Sequence, residues 1–105
     1  MGAARPRPQR LAEKLLQIRN TLGLSQTELL RQLRMQDTIP YTRISDYELD
    51  KNEPTLMVLL EYARVAGVHL EVIVDDRLDL PTELPGSVKY KNVRSNAHLK
   101  RRNVS

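Results

Sequence analysis

The strongest constraint on the fold is a series of short runs in which apolar residues recur every three or four positions. In the first run these positions are Leu11, Leu15, Ile18 and Leu22. Because an α-helix turns once in about 3.6 residues, this spacing places all four side chains on one face. Gly23 follows directly, and glycine is the usual residue just after a helix C-terminus. The pattern predicts a first helix over residues 9–22.

The residues after this glycine carry a helix-start signal. Ser25 is followed three positions later by Glu28. This is the spacing of a capping box, in which each side chain accepts a hydrogen bond from the backbone N–H of the other residue. The signal predicts a second helix from Gln26 to Leu33, separated from the first by a very short turn.

A third helix is expected after the polar stretch RMQDTIP. Proline is unfavourable inside a helix but suits its first turn. Pro40 therefore favours a helix from Pro40 to Leu49, with Ile44 and Tyr47 facing inward. The turn-forming cluster DKNEP then ends this helix.

Two further helices complete the predicted bundle. Thr55 can cap a fourth helix that ends at Gly67. The positions assigned to its inner face are Leu56, Leu59, Leu60 and Ala63. Residues 68–76 alternate as a strand would, but a single strand has no partner in this chain. We therefore expect a short fifth helix there.

The composition also favours an all-α fold. Aromatic residues make up 4% of the 105 residues, with four tyrosines and neither Phe nor Trp. Leu, Ile, Val and Ala must then form the core, which favours helices over a β-sandwich. The length suits one compact five-helix domain. The expected core residues are Ile18, Leu29, Leu33, Ile39, Ile44, Tyr47, Leu56, Leu59 and Leu60.

Charge is distributed unevenly along the chain. Residues 1–10 contain three bases and no acid, residues 11–80 eight bases and twelve acids, and residues 81–105 six bases and one acid. We therefore expect a flexible basic arm over 1–8, a folded domain over 9–76, and a proline-containing linker and basic tail over 77–105 that are disordered. The two basic ends either follow the phosphates of a nucleic acid or are solvated ends that keep the protein soluble.

The sequence does not support an enzyme, a metal site or a cofactor. The chain has no cysteine, which excludes thiolate zinc sites and a cysteine nucleophile and is compatible with a reducing compartment. His69 and His98 are isolated, and the adjacent Asp75 and Asp76 are expected to be a solvated helix end rather than a catalytic pair. No apolar run is long enough to span a membrane. We expect a cytoplasmic protein without a membrane partner.

A set of residues spread over four of the predicted helices is more informative than periodicity. It comprises Ile18, Arg19, Leu22, Gly23, Leu24, Ser25, Gln26, Glu28 and Leu29, then Arg43, Ile44, Ser45, Asp46, Tyr47 and Glu48, and then Lys51, Glu53, Pro54 and Leu56. With these residues, the chain over 9–76 resembles the Cro and phage-repressor type (XRE) helix-turn-helix family. The resemblance implies a lambda-repressor-like bundle that binds double-stranded DNA.

The resemblance also implies which residues contact the duplex. Those expected on phosphates are Gln26, Lys51 and Asn52, and Thr27 is also expected to contact the DNA. Those expected at the major groove are Tyr41, Thr42, Arg43, Ser45 and Asp46. Arg19 and Glu48 correspond to an arginine and a glutamate that form a structural ion pair between the first and third helices of the family.

Two features depart from the family pattern. The connection between the second and third helices is about four residues longer than usual for the motif, with the extra residues near Met35 to Thr38. Asp46 places an acid where relatives often have a base or glutamine, and it could accept a hydrogen bond from cytosine. The longer connection could shift the third helix or contact the DNA backbone.

We therefore expect a sequence-specific, double-stranded DNA-binding regulator of transcription, repressor-like and dimeric, at the nucleoid. Val72, Ile73 and Val74 are the candidates for its homodimer surface. One alternative is the antitoxin of a toxin–antitoxin pair, whose basic tail over 81–105 folds on a toxin. Another is a protein-interaction module that has lost DNA binding, which Asp46 and the acidic central segment would suit.

Overall fold

The structure is a computed structural model that describes residues 7–87. Over this range it contains five α-helices and no β-strand. They are α1 (Leu11–Leu22), α2 (Gln26–Gln32), α3 (Thr42–Glu48), α4 (Leu56–Ala66) and α5 (Leu70–Val74). The predicted all-α, five-helix fold is confirmed, and α3 is shorter at both ends than the predicted Pro40–Leu49.

The turn between α1 and α2 has the predicted capping geometry. Gly23 adopts a left-handed conformation with φ 71°, and the N–H of Leu24 donates to the carbonyl of Arg19 at 3.2 Å. The Ser25 hydroxyl accepts from the Glu28 N–H at 3.0 Å, while the Glu28 carboxylate accepts from the Ser25 N–H at 2.8 Å. These bonds fix the angle at which α2 leaves α1.

The long connection between α2 and α3 is a folded loop. Arg34 leaves α2 with a positive φ of 61°. The backbone N–H groups of Thr38 and Ile39 both donate to the carbonyl of Met35 at 2.9 and 3.0 Å. Met35 and Ile39 are partly buried against the core, so the loop is anchored at two points. Ile39 is therefore at the core boundary rather than inside the core as predicted.

The hydrophobic core joins residues from all five helices. Its members in the helices and their caps are Leu11, Leu15, Ile18, Leu22, Leu29, Leu30, Leu33, Ile44, Tyr47, Val58, Leu59, Tyr62, Ala63, Val65, Ala66 and Ile73. Six of the nine predicted core residues are in this set. Burying these apolar side chains is the main force that holds the helices together.

The predicted inner face of α4 was correct for Leu59 and Ala63, which are buried, and wrong for its other two members. Leu56 and Leu60, which we expected in the core, are 61% and 40% exposed. Val58 and Tyr62 are buried in their place. The segment LMVLLEYARVA is apolar around most of its circumference, so periodicity alone does not decide which face turns inward.

The start of α1 is fastened to the end of α5. Lys14 is fully buried, and its ammonium group donates to the carbonyls of Val72 and Asp75 at 2.9 and 2.8 Å. Desolvation lowers the pKa of this lysine. The Asp76 carboxylate accepts from the backbone N–H groups of Gln9 and Arg10 at 2.8 and 3.0 Å. Asp76 therefore caps α1 and is not the free, solvated helix end that we predicted.

Residues 77–87 pack on the bundle, although we expected disorder from residue 77 onward. Leu80 and Leu84 are buried, and the Gly86 N–H donates to the carbonyl of Ala66 at the end of α4 at 2.9 Å. A β-carbon at Gly86 would collide with the Val65 carbonyl oxygen, so this close backbone contact requires glycine. The predicted disorder of the remaining tail, and His98, lie outside the described residues.

Candidate nucleic-acid interface

Arg19 clamps the end of α3 to α1. Its guanidinium donates to both carboxylate oxygens of Glu48, at 2.6 Å from Nε and 3.0 Å from Nη2. The Arg19 side chain is 18% exposed and the Glu48 side chain 5%. Nη1 of Arg19 also donates to the carbonyl of Leu24 at 3.1 Å. The expected ion pair is thus present, and it also fastens the turn that leads into α2.

The ion pair has a direct effect on the arginine. The hydrogen bond to Glu48 raises the pKa of Arg19, and it outweighs the opposing effect of burial. A paired guanidinium of this kind is planar and bidentate, so it fixes orientation as well as position. The C-terminal end of α3 is therefore held in one orientation relative to α1.

Gln26, the first residue of α2, belongs to the same polar cluster. Its side-chain amide donates to Glu48 Oε1 at 3.3 Å, so one carboxylate connects α1, α2 and α3. Thr27 is exposed beside it. The amide of Gln26 has a structural contact here, and its predicted phosphate contact stays a prediction.

The outer face of α3 carries the predicted groove residues. Ile44 and Tyr47 face the core, which directs the intervening positions outward. Tyr41 is 56% exposed and Thr42 is also exposed. The partly exposed positions are Arg43, Ser45 and Asp46. The predicted groove residues thus share one accessible side of a short helix whose other side is buried.

Asp46 is next to a base on this face. Its carboxylate lies 4.0 Å from Nε of Arg43, one helical turn earlier. Both side chains are close to 40% exposed, so the pair is screened by water and contributes little to stability. The arrangement places one acceptor and one set of donors side by side, which suits hydrogen bonding to base edges.

A tight turn follows α3 and carries the second predicted phosphate contact. Asp50 has a positive φ of 59°, and the N–H of Lys51 donates back to the carbonyl of Asp46 at 2.8 Å. The side chains of Lys51 and Asn52 are exposed. The turn therefore presents an exposed cation and an exposed amide directly after α3.

Sequence reasoning missed a contact between this turn and the N-terminal arm. Nη2 of Arg7 lies 2.7 Å from Oδ1 of Asp50, although the two residues are 43 positions apart. The available signal was the group of arginines in the first ten residues, which indicated a basic arm but not where it lies.

The expected dimer surface on α5 is only partly available. Ile73 is fully buried in the core of its own chain, and Val72 and Val74 are partly buried against that core. Ile73 therefore cannot face a second copy. On α4, the neighbouring side chains of Leu56, Met57 and Leu60 are exposed, and they form the α4 apolar face.

Two kinds of feature were searched for among the described residues. Within residues 7–87 no cluster of three or more His, Cys, Asp or Glu side chains is arranged to bind a metal ion. In the same part of the chain, no helix has the length and apolar character needed to cross a membrane. His69, which precedes α5, is exposed.

The fold and the polar cluster agree with the comparison with protein families. A family model described as helix-turn-helix matches residues 15–73, which is more than half of the chain and reaches from α1 into α5. No curated protein and no solved structure was found to match the chain. The matched range includes the Arg19–Glu48 ion pair, all of α2 and α3, and the turn at Lys51. The chain therefore belongs to the family of XRE, Cro and lambda-repressor type helix-turn-helix DNA-binding domains.

Proposed function

We propose that this protein is a sequence-specific regulator of transcription that inserts the outer face of α3 into the major groove of double-stranded DNA. The observation that carries the proposal is the partly buried, bidentate ion pair between Arg19 and Glu48. It holds α3 rigidly while Ile44 and Tyr47 occupy the core, so the polar side of the helix is left available. Pre-organised side chains lose less entropy on binding. We infer that the protein acts at the nucleoid, as a repressor.

The side chains on this face suit distinct contacts. Thr42 can donate to a base edge or contact a thymine methyl group, and Arg43 can donate twice to guanine. Asp46 can accept from the amino group of cytosine. Lys51 and Asn52 follow on the next turn, where a phosphate contact would set the register of α3 without selecting sequence.

We also propose that two copies bind together. Residues 7–87 contain ten bases and thirteen acids, so this part of one copy has no general electrostatic attraction to a polyanion, and on its own it would bind DNA modestly. The α4 apolar face begins just after the turn at Lys51 and Asn52, and Met57 on it is 62% exposed. A two-fold contact between these faces would bury the apolar side chains and keep the two α3–α4 turns close together.

Selection of bound sequences from random duplexes tests the proposal. The expected result is enrichment of a two-fold symmetric site whose halves lie about 10 base pairs apart or a multiple of that distance. Thr42→Ala and Arg43→Ala should change the preferred bases, while the control Arg77→Ala should not. Absence of enrichment, together with absence of salt-dependent duplex binding at micromolar protein, would contradict the proposal.

The 4.0 Å pair between Arg43 and Asp46 supports one other candidate, a protein-interaction module whose α3 face no longer binds DNA. Asp46→Asn distinguishes the two. If α3 enters the groove, this change should alter duplex affinity or base preference, because an amide donates as well as accepts. If the face binds protein only, duplex binding should be absent in both forms.

A further inference from the structure

Three acids, two in α3 and one in the turn that follows it, are each paired with an arginine. Asp46 lies 4.0 Å from Arg43, and Glu48 lies 2.6 Å from Arg19. The third, Asp50, lies 2.7 Å from Arg7. The first two arginines belong to the helix-turn-helix itself, whereas Arg7 comes from the N-terminal arm.

The arm reaches this position because its base is fixed. The backbone N–H groups of Gln9 and Arg10 are held by the Asp76 carboxylate, and the Arg10 guanidinium donates to the carbonyl of Asp76 at 3.0 Å. Arg10 also lies 2.7 Å from Asp79. Arg7 therefore extends from an anchored point at the start of α1 toward the end of α3.

Asp50 would otherwise oppose DNA binding. Its side chain is 67% exposed and it directly precedes Lys51, where the proposed function places a phosphate. A carboxylate and a phosphate bound at neighbouring residues repel each other, and solvent screening reduces this repulsion only in part. A partner cation at Asp50 offsets the repulsion.

We propose that Arg7 is a DNA-binding residue that neutralises Asp50 and donates to the phosphate held by Lys51 and Asn52. A guanidinium has five N–H donors in a planar fork, so Arg7 can bind the carboxylate and a phosphate oxygen at the same time. Its side chain is 44% exposed, which leaves it accessible to a duplex. This inference rests on the proposed function, because it uses the same phosphate site.

The test compares the salt dependence of duplex binding in the full-length wild type, Arg7→Gln and Arg77→Gln. The probes are the duplex enriched by selection and a mixed-sequence duplex of equal length. Arg77 is a matched control, because it is an exposed arginine paired with Asp75 and its replacement changes the net charge equally. Arg7→Gln should reduce the slope of log K against log salt by about 0.9, the value for one phosphate contact, and weaken binding about eightfold near 0.1 M salt.

The control should retain the wild-type slope, and both variants should keep the wild-type unfolding midpoint because both side chains are exposed. Asp50→Asn should strengthen binding at low salt. Wild-type binding with an unchanged slope in Arg7→Gln would overturn the inference while the proposed function stands. Equal losses of duplex affinity in Arg7→Gln and Arg77→Gln would also overturn the inference, because they would show that only the net charge of the protein matters. Failure of the wild type to bind either duplex would overturn both.

Discussion

Replacing Arg19 by methionine tests whether a charged clamp holds α3. Methionine keeps the apolar stem of the side chain but removes the donors that lie 2.6 and 3.0 Å from Glu48. The Glu48 carboxylate would retain the longer bond from Gln26 at 3.3 Å and would stay almost fully buried. Removing one partner of a buried ion pair costs about 3–5 kcal/mol, because the other charge is left buried without compensation.

This cost is large for a domain of this size. At about 0.05–0.15 kcal/mol per residue, some 80 residues have a free energy of unfolding of roughly 4–12 kcal/mol. A loss of 1 kcal/mol lowers the melting temperature of a small domain by about 4–8 °C. Arg19→Met should therefore lower the melting temperature by at least about 12 °C.

The assay is thermal and urea unfolding, each followed by far-ultraviolet circular dichroism, for the wild type, Arg19→Met and the double variant Arg19→Met/Glu48→Met. The double variant removes the stranded carboxylate, so it should be clearly more stable than Arg19→Met. A loss below about 1 kcal/mol in the single variant, or a double variant no more stable than the single one, would refute the buried-clamp argument.

Three further predictions concern other parts of the fold. Gly86→Ala should lower the free energy of unfolding by about 1.5–3 kcal/mol, because the new methyl group forces residues 77–87 off α4. This magnitude is the free energy gained by burying one leucine side chain such as Leu84. Wild-type stability in urea would contradict this prediction. Tyr62→Phe should be neutral or stabilising by up to about 1 kcal/mol, since the buried Tyr62 hydroxyl has no hydrogen-bond partner among the described residues; clear destabilisation would contradict it. The hydrogen bonds from the N–H groups of Gln9 and Arg10 lower the pKa of Asp76 in the folded protein. The ionised Asp76 carboxylate therefore stabilises the fold fully at pH values above the ordinary carboxyl pKa, and this stabilisation is lost as the pH falls through the lowered pKa. The stability difference between the wild type and Asp76→Ala should therefore be largest near neutral pH and shrink below about pH 4; a difference independent of pH would count against the cap.

Local signals account for the parts of the fold that the sequence predicts well. The Ser25–Glu28 capping box and the glycine at the end of α1 determine their helix ends through bonds to neighbouring residues, so the spacing alone is sufficient. The pair of Arg19 and Glu48 is not local, and it was expected because of the family resemblance. The same resemblance identified the exposed side of α3 that the structure displays.

The features that were missed depend on contacts between distant segments. Nothing near Asp76 in the sequence indicates that its carboxylate caps α1, and the contact of Arg7 with Asp50 spans 43 positions. Residues 77–87 have the composition of a linker, yet a few buried side chains and one backbone bond to Ala66 fix them. In α4, apolar residues lie on both sides of the helix, so the pattern does not decide whether the side with Leu60 or the side with Tyr62 faces the core.

We propose above that the polar side of α3, held by Arg19, enters the groove of a duplex. The most direct test is to follow the backbone amide NMR signals of isotope-labelled protein while the selected duplex is added. The largest shifts are expected at Thr42 to Asp46, Lys51 and Asn52, with small changes in α5. Shifts confined to α4 and α5, or no shifts at saturating duplex, would contradict it.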